Sequence, residues 1–238
     1  MSVCGCSKLI KNILDGFPYY LAIGILFILN LSILAPPFLI FAGYVDLADF
    51  LYNIHSLDHQ WIYRSQCIFK DGNDSLLFDD CIKQGKEKEA NISTLYTKNG
   101  DPKYNGIFNS YPSNQIGYNK AEKVQRNGLV GYKFANDTRD YSIYIPWMIM
   151  MMLHPFIFGP GCKRVPPSIW LILALVPMGI DGTFQLFGFW ESTNLMRMIT
   201  GGIAGIGSGF FTVPVLNSIL AREEVNGRIR ATKSETIK

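Results

Sequence analysis

Apolar positions along this chain gather into four long runs, separated by stretches that are polar and turn-rich. The runs cover about Tyr19–Gly43, Tyr141–Phe158, Ser168–Phe187 and Met196–Leu220. A bilayer core of about 30 Å needs roughly 20 helical residues, so each run is read as a transmembrane helix. Pro36 and Pro37 interrupt the first, which predicts a kink or a broken end there. The second is the shortest and holds His154; Pro166 and Pro167 lead into the third. The fourth carries Gly201, Gly205 and Gly209 four residues apart, flanked by Gly202 and Gly207. That spacing makes a smooth face for close helix packing, within the bundle or towards another subunit.

Between the first two runs the pattern changes. Leu47–Leu57 has apolar residues at helical spacing and predicts a short helix lying at the membrane interface. Residues 66–135 are rich in Asn, Asp, Gly, Lys, Ser and Tyr and are broken by Pro102 and Pro112. They predict a small irregular lobe with room for short strands, too polar to enclose a large core. The fold class expected is therefore an all-α membrane protein. It has four transmembrane helices, a short interfacial helix, and an irregular extracellular lobe inserted between helices one and two. The segments are a 1–18 cytoplasmic N-terminus, 19–65 first helix and interfacial helix, 66–136 lobe, 137–221 helices two to four, and a 222–238 cytoplasmic tail.

Composition narrows the function. Of 238 residues 48% are hydrophobic and 17% charged, too apolar for an ordinary soluble domain. The net charge is +3 with no basic-aromatic patch, which argues against a nucleic-acid partner. Lys8 and Lys11 precede the first run as in a signal peptide, but the run is too long and lacks a small-residue cleavage site. It is read as a retained helix. Lys8 and Lys11, Lys163 and Arg164, and Arg222, Arg228, Arg230 and Lys233 all fall on one side of a four-span topology. By the positive-inside rule that side is cytoplasmic, both termini included, and the 45–140 loop is external in the cell membrane. Three N-glycosylation patterns, at Asn73, Asn91 and Asn136, are confined to that loop, together with Cys67 and Cys81, a candidate disulfide.

Charged residues inside or beside the apolar runs are the candidate chemistry. Asp181 lies within the third run, and a carboxylate in a membrane helix costs about 2.5–3.5 kcal/mol on insertion scales. Gln185 shares its face at i+4, and Arg197 begins the fourth run within reach. Two readings stand: a polar-ligand, ion or proton site, or a clamp of Asp181 with Arg197 and Gln185 between helices three and four. Glu191-Ser192-Thr193-Asn194 forms the turn, with Thr193 or Asn194 placed to cap helix four and Glu191 placed to join the polar cluster. No phosphate loop, dinucleotide fingerprint or nucleophile–base pair is visible. Met148, Met150, Met151 and Met152 point around their helix and suit packing better than copper. His55 and His59 stand at i, i+4, while a Cys4-Gly-Cys6 pair alone is too little for a site.

Several of these residues fall in a recognisable pattern. Tyr52, Ser56-Leu57, His59-Gln60 and Arg64-Ser65 form a first block. Pro177-Met178, Asp181-Gly182, Gln185, Glu191-Ser192-Thr193-Asn194, Arg197 and Thr200-Gly201 form another. Together they resemble a family of small prokaryotic membrane proteins catalogued as domain of unknown function 2085, over roughly residues 33–65 and 137–210. The family pattern has cysteines where this chain has Asp58, Asp137 and Asp140, with Arg139 kept between the last two. The resemblance thus implies a candidate outer-face site of Asp58, His59, Asp137 and Asp140, whose oxygen donors suit a divalent ion such as Mn, Fe, Zn, Ca or Mg. The alternative is a surface network in which the aspartates pair with Arg64 and Arg139. Three functions follow: a non-catalytic subunit or accessory protein beside other membrane subunits, an outer-face metal protein or metal-dependent enzyme, or a small transporter or channel using Asp181.

Overall fold

The computed structural model describes residues 4–55, 62–72, 75–83, 90–93, 122–159 and 162–236, with side chains of 4–17, 63, 91, 93 and 221–236 outside the description. Its helices are α1 (Cys4–Phe41), α2 (Val45–His55), α3 (Thr138–Phe158), α4 (Ile169–Leu186) and α5 (Asn194–Thr236). Four stretches are long and apolar enough to cross a membrane: Pro18–Phe41, Thr138–Phe158, Ile169–Leu186 and Asn194–Leu220. They fall within three residues of the starts read from hydropathy. Pro36 and Pro37 do not end the first helix; it runs on to Phe41.

Glycine stops three of these helices. Gly43 and Gly188 take φ of 88° and 74°. At the first, Gly43 N–H donates to Ile40 and Tyr44 N–H to Leu39; at the second, Gly188 N–H donates to Gln185 and Phe189 N–H to Phe184. Both are Schellman closures, in which a left-handed residue lets two N–H groups satisfy the last carbonyls. Gly159, at φ 86°, ends α3 with a single bond to the Pro155 carbonyl.

The all-α expectation is too narrow. Five strands form one sheet in the order β2-β1-β5-β4-β3, where β1 is Gln66–Lys70, β2 Leu76–Asp80, β3 Asn91–Ser93, β4 Lys123–Arg126 and β5 Leu129–Lys133. All its pairings are antiparallel. The β4–β5 turn is Asn127-Gly128 with φ of 49° and 77°, as a type I′ hairpin requires. Phe69 pairs with Gly131, and its ring fills the space a Cβ at Gly131 would occupy. The small core beneath is Ile62, Cys67, Phe69, Cys81, Ile82, Ala90, Ile92 and Val124. The expected Cys67–Cys81 disulfide is formed and ties β1 to the residue after β2.

The chain divides into two compact units. Residues 1–28, 143–179 and 202–238 form one. Its core is Leu26, Met151 and Val213 with Tyr19, Trp147 and Leu216 packed around them. The glycine face of α5 is spent here. Gly205 meets the Ile143 carbonyl, Gly207 meets Ala174, and Gly209 meets the Trp147 carbonyl and Met150. Hydrogen bonds cross the apolar contact at Tyr19 Oη to the Met151 carbonyl (3.0 Å) and Trp147 Nε1 to Thr212 Oγ1 (3.0 Å). His154 is buried between the rings of Phe158 and Phe210. The methionine run behaves as its sequence suggests, with Met151 buried and Met152 half exposed. The second unit, residues 29–142 and 180–201, holds the sheet, α2 and the candidate site.

Candidate functional site

Three helix termini and one 3-10 turn bring the polar residues of the second unit together. Asp137 precedes α3 and caps it, accepting from the Arg139 N–H at 3.3 Å. Asp140 sits in the first turn of the same helix, where a carboxylate is favoured by the exposed N–H groups. Thr193 caps α5 through the Met196 N–H, which frees Asn194 for other bonds. Asn194 donates instead to the Ser65 carbonyl and to Asp80 Oδ1. Arg64 ends the 3-10 turn Ile62–Arg64 just before β1.

Asp181 is 3% exposed and its partner is Arg139, not Arg197. Arg139 Nη2 donates to Asp181 Oδ2 at 2.5 Å and to Gln185 Oε1 at 3.3 Å. Ser192 Oγ (2.9 Å) and Trp190 Nε1 (3.4 Å) also donate to the Asp181 carboxylate. Arg197, 1% exposed, is taken up elsewhere: Nη1 binds both oxygens of Asp137 at 3.1 and 3.0 Å, and Nη2 binds Glu191 Oε1 at 2.9 Å. Glu191 also accepts from Arg64 Nε (3.2 Å) and from Gln185 Nε2 (2.7 Å). The expected clamp of Asp181 with Arg197 is therefore rerouted. Arg139 lies in the first turn of α3 and reaches Asp181, while the planar fork of Arg197 is filled by two other carboxylates. The result is a network in which, among the described residues, Arg64 pairs with Glu191, Arg139 with Asp181, and Arg197 with both Asp137 and Glu191.

Of the metal set, Asp58 and His59 lie outside the described residues. Asp137 is bound to Arg197, and Asp140 accepts from Asn136 Nδ2 at 3.3 Å. Among the described residues no three His, Cys, Asp or Glu side chains come together as metal ligands do. Asn73 is outside the description, as is the side chain of Asn91 in β3. Asn136 is 3% exposed with its amide engaged, so a glycan there would require this corner to open. His55 Nε2 meets Ser32 Oγ at 2.9 Å.

The sequence reading did not single out Ser192, Trp190, Gln66 or Tyr141 for this cluster. Tyr141 Oη donates to Gln66 Oε1, whose amide in turn reaches Met198 Sδ at 3.3 Å. This ties β1 to α3 and α5. Nearby, Tyr52 Oη donates to the Lys133 carbonyl at 2.5 Å. Burial raises the Tyr52 phenol well above its usual value, reinforced by Glu122 and Tyr132. Burial also pushes the Lys133 ammonium down to about 8, against the opposing pull of Glu122. At the sheet edge burial pushes the Asp79 carboxyl up, but Lys83, the Asp80 N–H and Arg126 outweigh it and the net shift is downward.

The cluster residues on α3, α4 and α5 all fall in one continuous stretch that has relatives. Residues 127–211 match the predicted membrane protein family DUF2085. The DUF2085 match confirms the resemblance carried by Asp181, Gln185, Glu191, Asn194 and Arg197; the block around residues 33–65 lies outside the matched stretch. An uncharacterized protein of Methanocaldococcus jannaschii is 37% identical over 95 residues, which is 40% of this chain and 61% of that protein. The chain thus covers about three-fifths of the length of the curated relative it matches. No solved structure matches the chain.

Proposed function

We propose that this chain is a multi-pass subunit or accessory protein of a larger membrane complex, set in the cell membrane with both termini cytoplasmic and the 45–140 region external. The observation that carries the reading is the mutual neutralisation of Arg64, Arg139 and Arg197 by Asp137, Asp181 and Glu191. Groups able to bind a metal, shuttle a proton or polarise a substrate are committed to one another and hold helix ends to the sheet. A second observation supports docking. The span Ile169–Leu186 buries little of itself within the chain, Asp181 being its buried residue, whereas Asn194–Leu220 buries about a third of its residues. Most of that helix surface is free for lipid or for neighbouring helices, and Gly179 on it has no neighbour within 4 Å.

The rival readings have less support. A metal protein built on Asp58, His59, Asp137 and Asp140 must compete with Arg197 for Asp137. A conduit through Asp181 must break the Arg139 pair. The test of the subunit reading is purification of the tagged protein from its own membranes in mild detergent. It predicts co-purification of partner membrane proteins at fixed stoichiometry. Recovery as a lone monomer under conditions that preserve other membrane complexes would refute it.

A further inference from the structure

The apolar surface of the sheet is concentrated in one place. Leu76, Leu77 and Phe78 are consecutive on β2 and are 53%, 48% and 48% exposed. Among the described strands β2 is an edge of the sheet, paired on one side to β1. Three successive large apolar side chains on an open edge strand are a hazard in water, because the edge offers both unpaired backbone groups and apolar surface. Proteins normally place a charge or a proline there; here the charges begin only at Asp79.

What covers the strand is indicated by where it is anchored. Asp80, its last residue, accepts from Asn194, the first residue of a membrane-length span. The ring of Phe78 lies 5.9 Å from Phe134, which lies 5.5 Å from Tyr141 in the first turn of another such span. Within the same unit Phe187, Phe189 and Trp190 are exposed on the turn that leads to Asn194. Aromatic residues at the ends of spans mark the headgroup level of a bilayer. At about 3.3 Å per residue, Phe78 to Leu76 lie roughly 7–13 Å along the strand from that level. An interfacial zone is about 5–8 Å thick on each side of the hydrocarbon core, so the strand is long enough to cross it.

We propose that the β2 edge lies in the headgroup–acyl boundary of the bilayer, with Leu76 and Phe78, which share one face of the strand, contacting lipid. The unpaired backbone of an edge strand excludes the hydrocarbon core itself, where no water satisfies it. The boundary retains water for the backbone while it shelters the apolar side chains. The sheet is then a membrane-seated element rather than a free external lobe.

The test uses the full chain in phosphatidylcholine–phosphatidylglycerol vesicles. A nitroxide is attached at Leu76→Cys in a Cys4→Ser/Cys6→Ser/Cys162→Ser background that keeps the Cys67–Cys81 disulfide. Collision rates with oxygen and with a water-soluble nickel chelate are compared with Asn127→Cys at the exposed β4–β5 turn and Ile199→Cys on α5. The expected result is nickel access several-fold below that at position 127, with oxygen access approaching that at position 199. Nickel access equal to position 127 would overturn the proposal. A label shielded from both reagents would also overturn it, by showing that a protein partner or a second copy covers the strand. Phe78→Cys provides an independent reading on the same face should position 76 disturb the strand.

Discussion

Asp181→Asn removes one charge from a nearly isosteric side chain and so isolates the worth of the Arg139 pair. Asp181 is 3% exposed and the Arg139 side chain 22%, so the pair is largely withdrawn from solvent. Neutralising the acid leaves the guanidinium with Gln185 Oε1 at 3.3 Å as its other side-chain acceptor in the cluster. Breaking a buried pair by removing one partner costs about 3–5 kcal/mol, because the remaining charge is stranded. On the scaling for soluble proteins of this size, about 2–4 °C per kcal/mol, the fall in Tm is roughly 6–20 °C. Arg139→Met strands the acid instead, and the double variant strands neither. Unfolding of the four proteins in one detergent therefore forms a double-mutant cycle. The two changes should be sub-additive by more than about 0.5 and up to about 3 kcal/mol, the range seen for directly contacting groups. Additivity within about 0.5 kcal/mol would show that the two side chains do not depend on each other, and would refute the Arg139–Asp181 pairing.

Gly209→Leu should destabilise by at least about 1–3 kcal/mol through overpacking, since a Cβ there meets the Trp147 carbonyl at 2.6 Å and Met150 Cβ at 2.7 Å. Gly202→Ala, with nothing within 4 Å, should leave the unfolding midpoint in detergent unchanged or slightly raised. Lys133 binds a proton less readily in the fold, near pH 8, than in the unfolded chain, near pH 10.4. Between those values unfolding takes up a proton, so stability rises with pH across the window and sits at its lower plateau below it. Melting curves should show this rise in the wild type and lose it in Lys133→Met. Cys67→Ser/Cys81→Ser opens a loop with a sequence separation of 14. It should cost about 3 kcal/mol on the chain-entropy account, read as faster proteolysis of the sheet.

The spans were legible because length and apolarity suffice to define them. Their first turns were not. Helix α3 starts at Thr138 and α5 at Asn194, ahead of the apolar runs, because Thr138-Arg139-Asp140 and Asn194 are helical but polar. Those turns hold the cluster, so hydropathy misses the part of the helices that matters most for the site. Pro36 and Pro37 looked like a break, yet the helix ends five and four residues later at the Gly43 closure. The sheet did carry a signal: Asn127-Gly128 between Lys123–Arg126 and Leu129–Lys133 is a strong hairpin marker, obscured by the polar composition around it. The membership of the cluster was readable from Asp181, Glu191 and Arg197. The pairing was not, because which arginine meets which acid is decided by how the helix ends and β1 meet.

On the proposed reading the acidic residues beside the helix ends hold the protein together instead of holding a metal. Elemental analysis of protein purified from its own membranes without chelator tests it most directly, with Asp58→Ala/Asp140→Ala prepared in parallel. The expected result is no stoichiometric divalent metal and no difference between the two proteins. One metal ion per chain in the wild type, lost in the double variant, would contradict it.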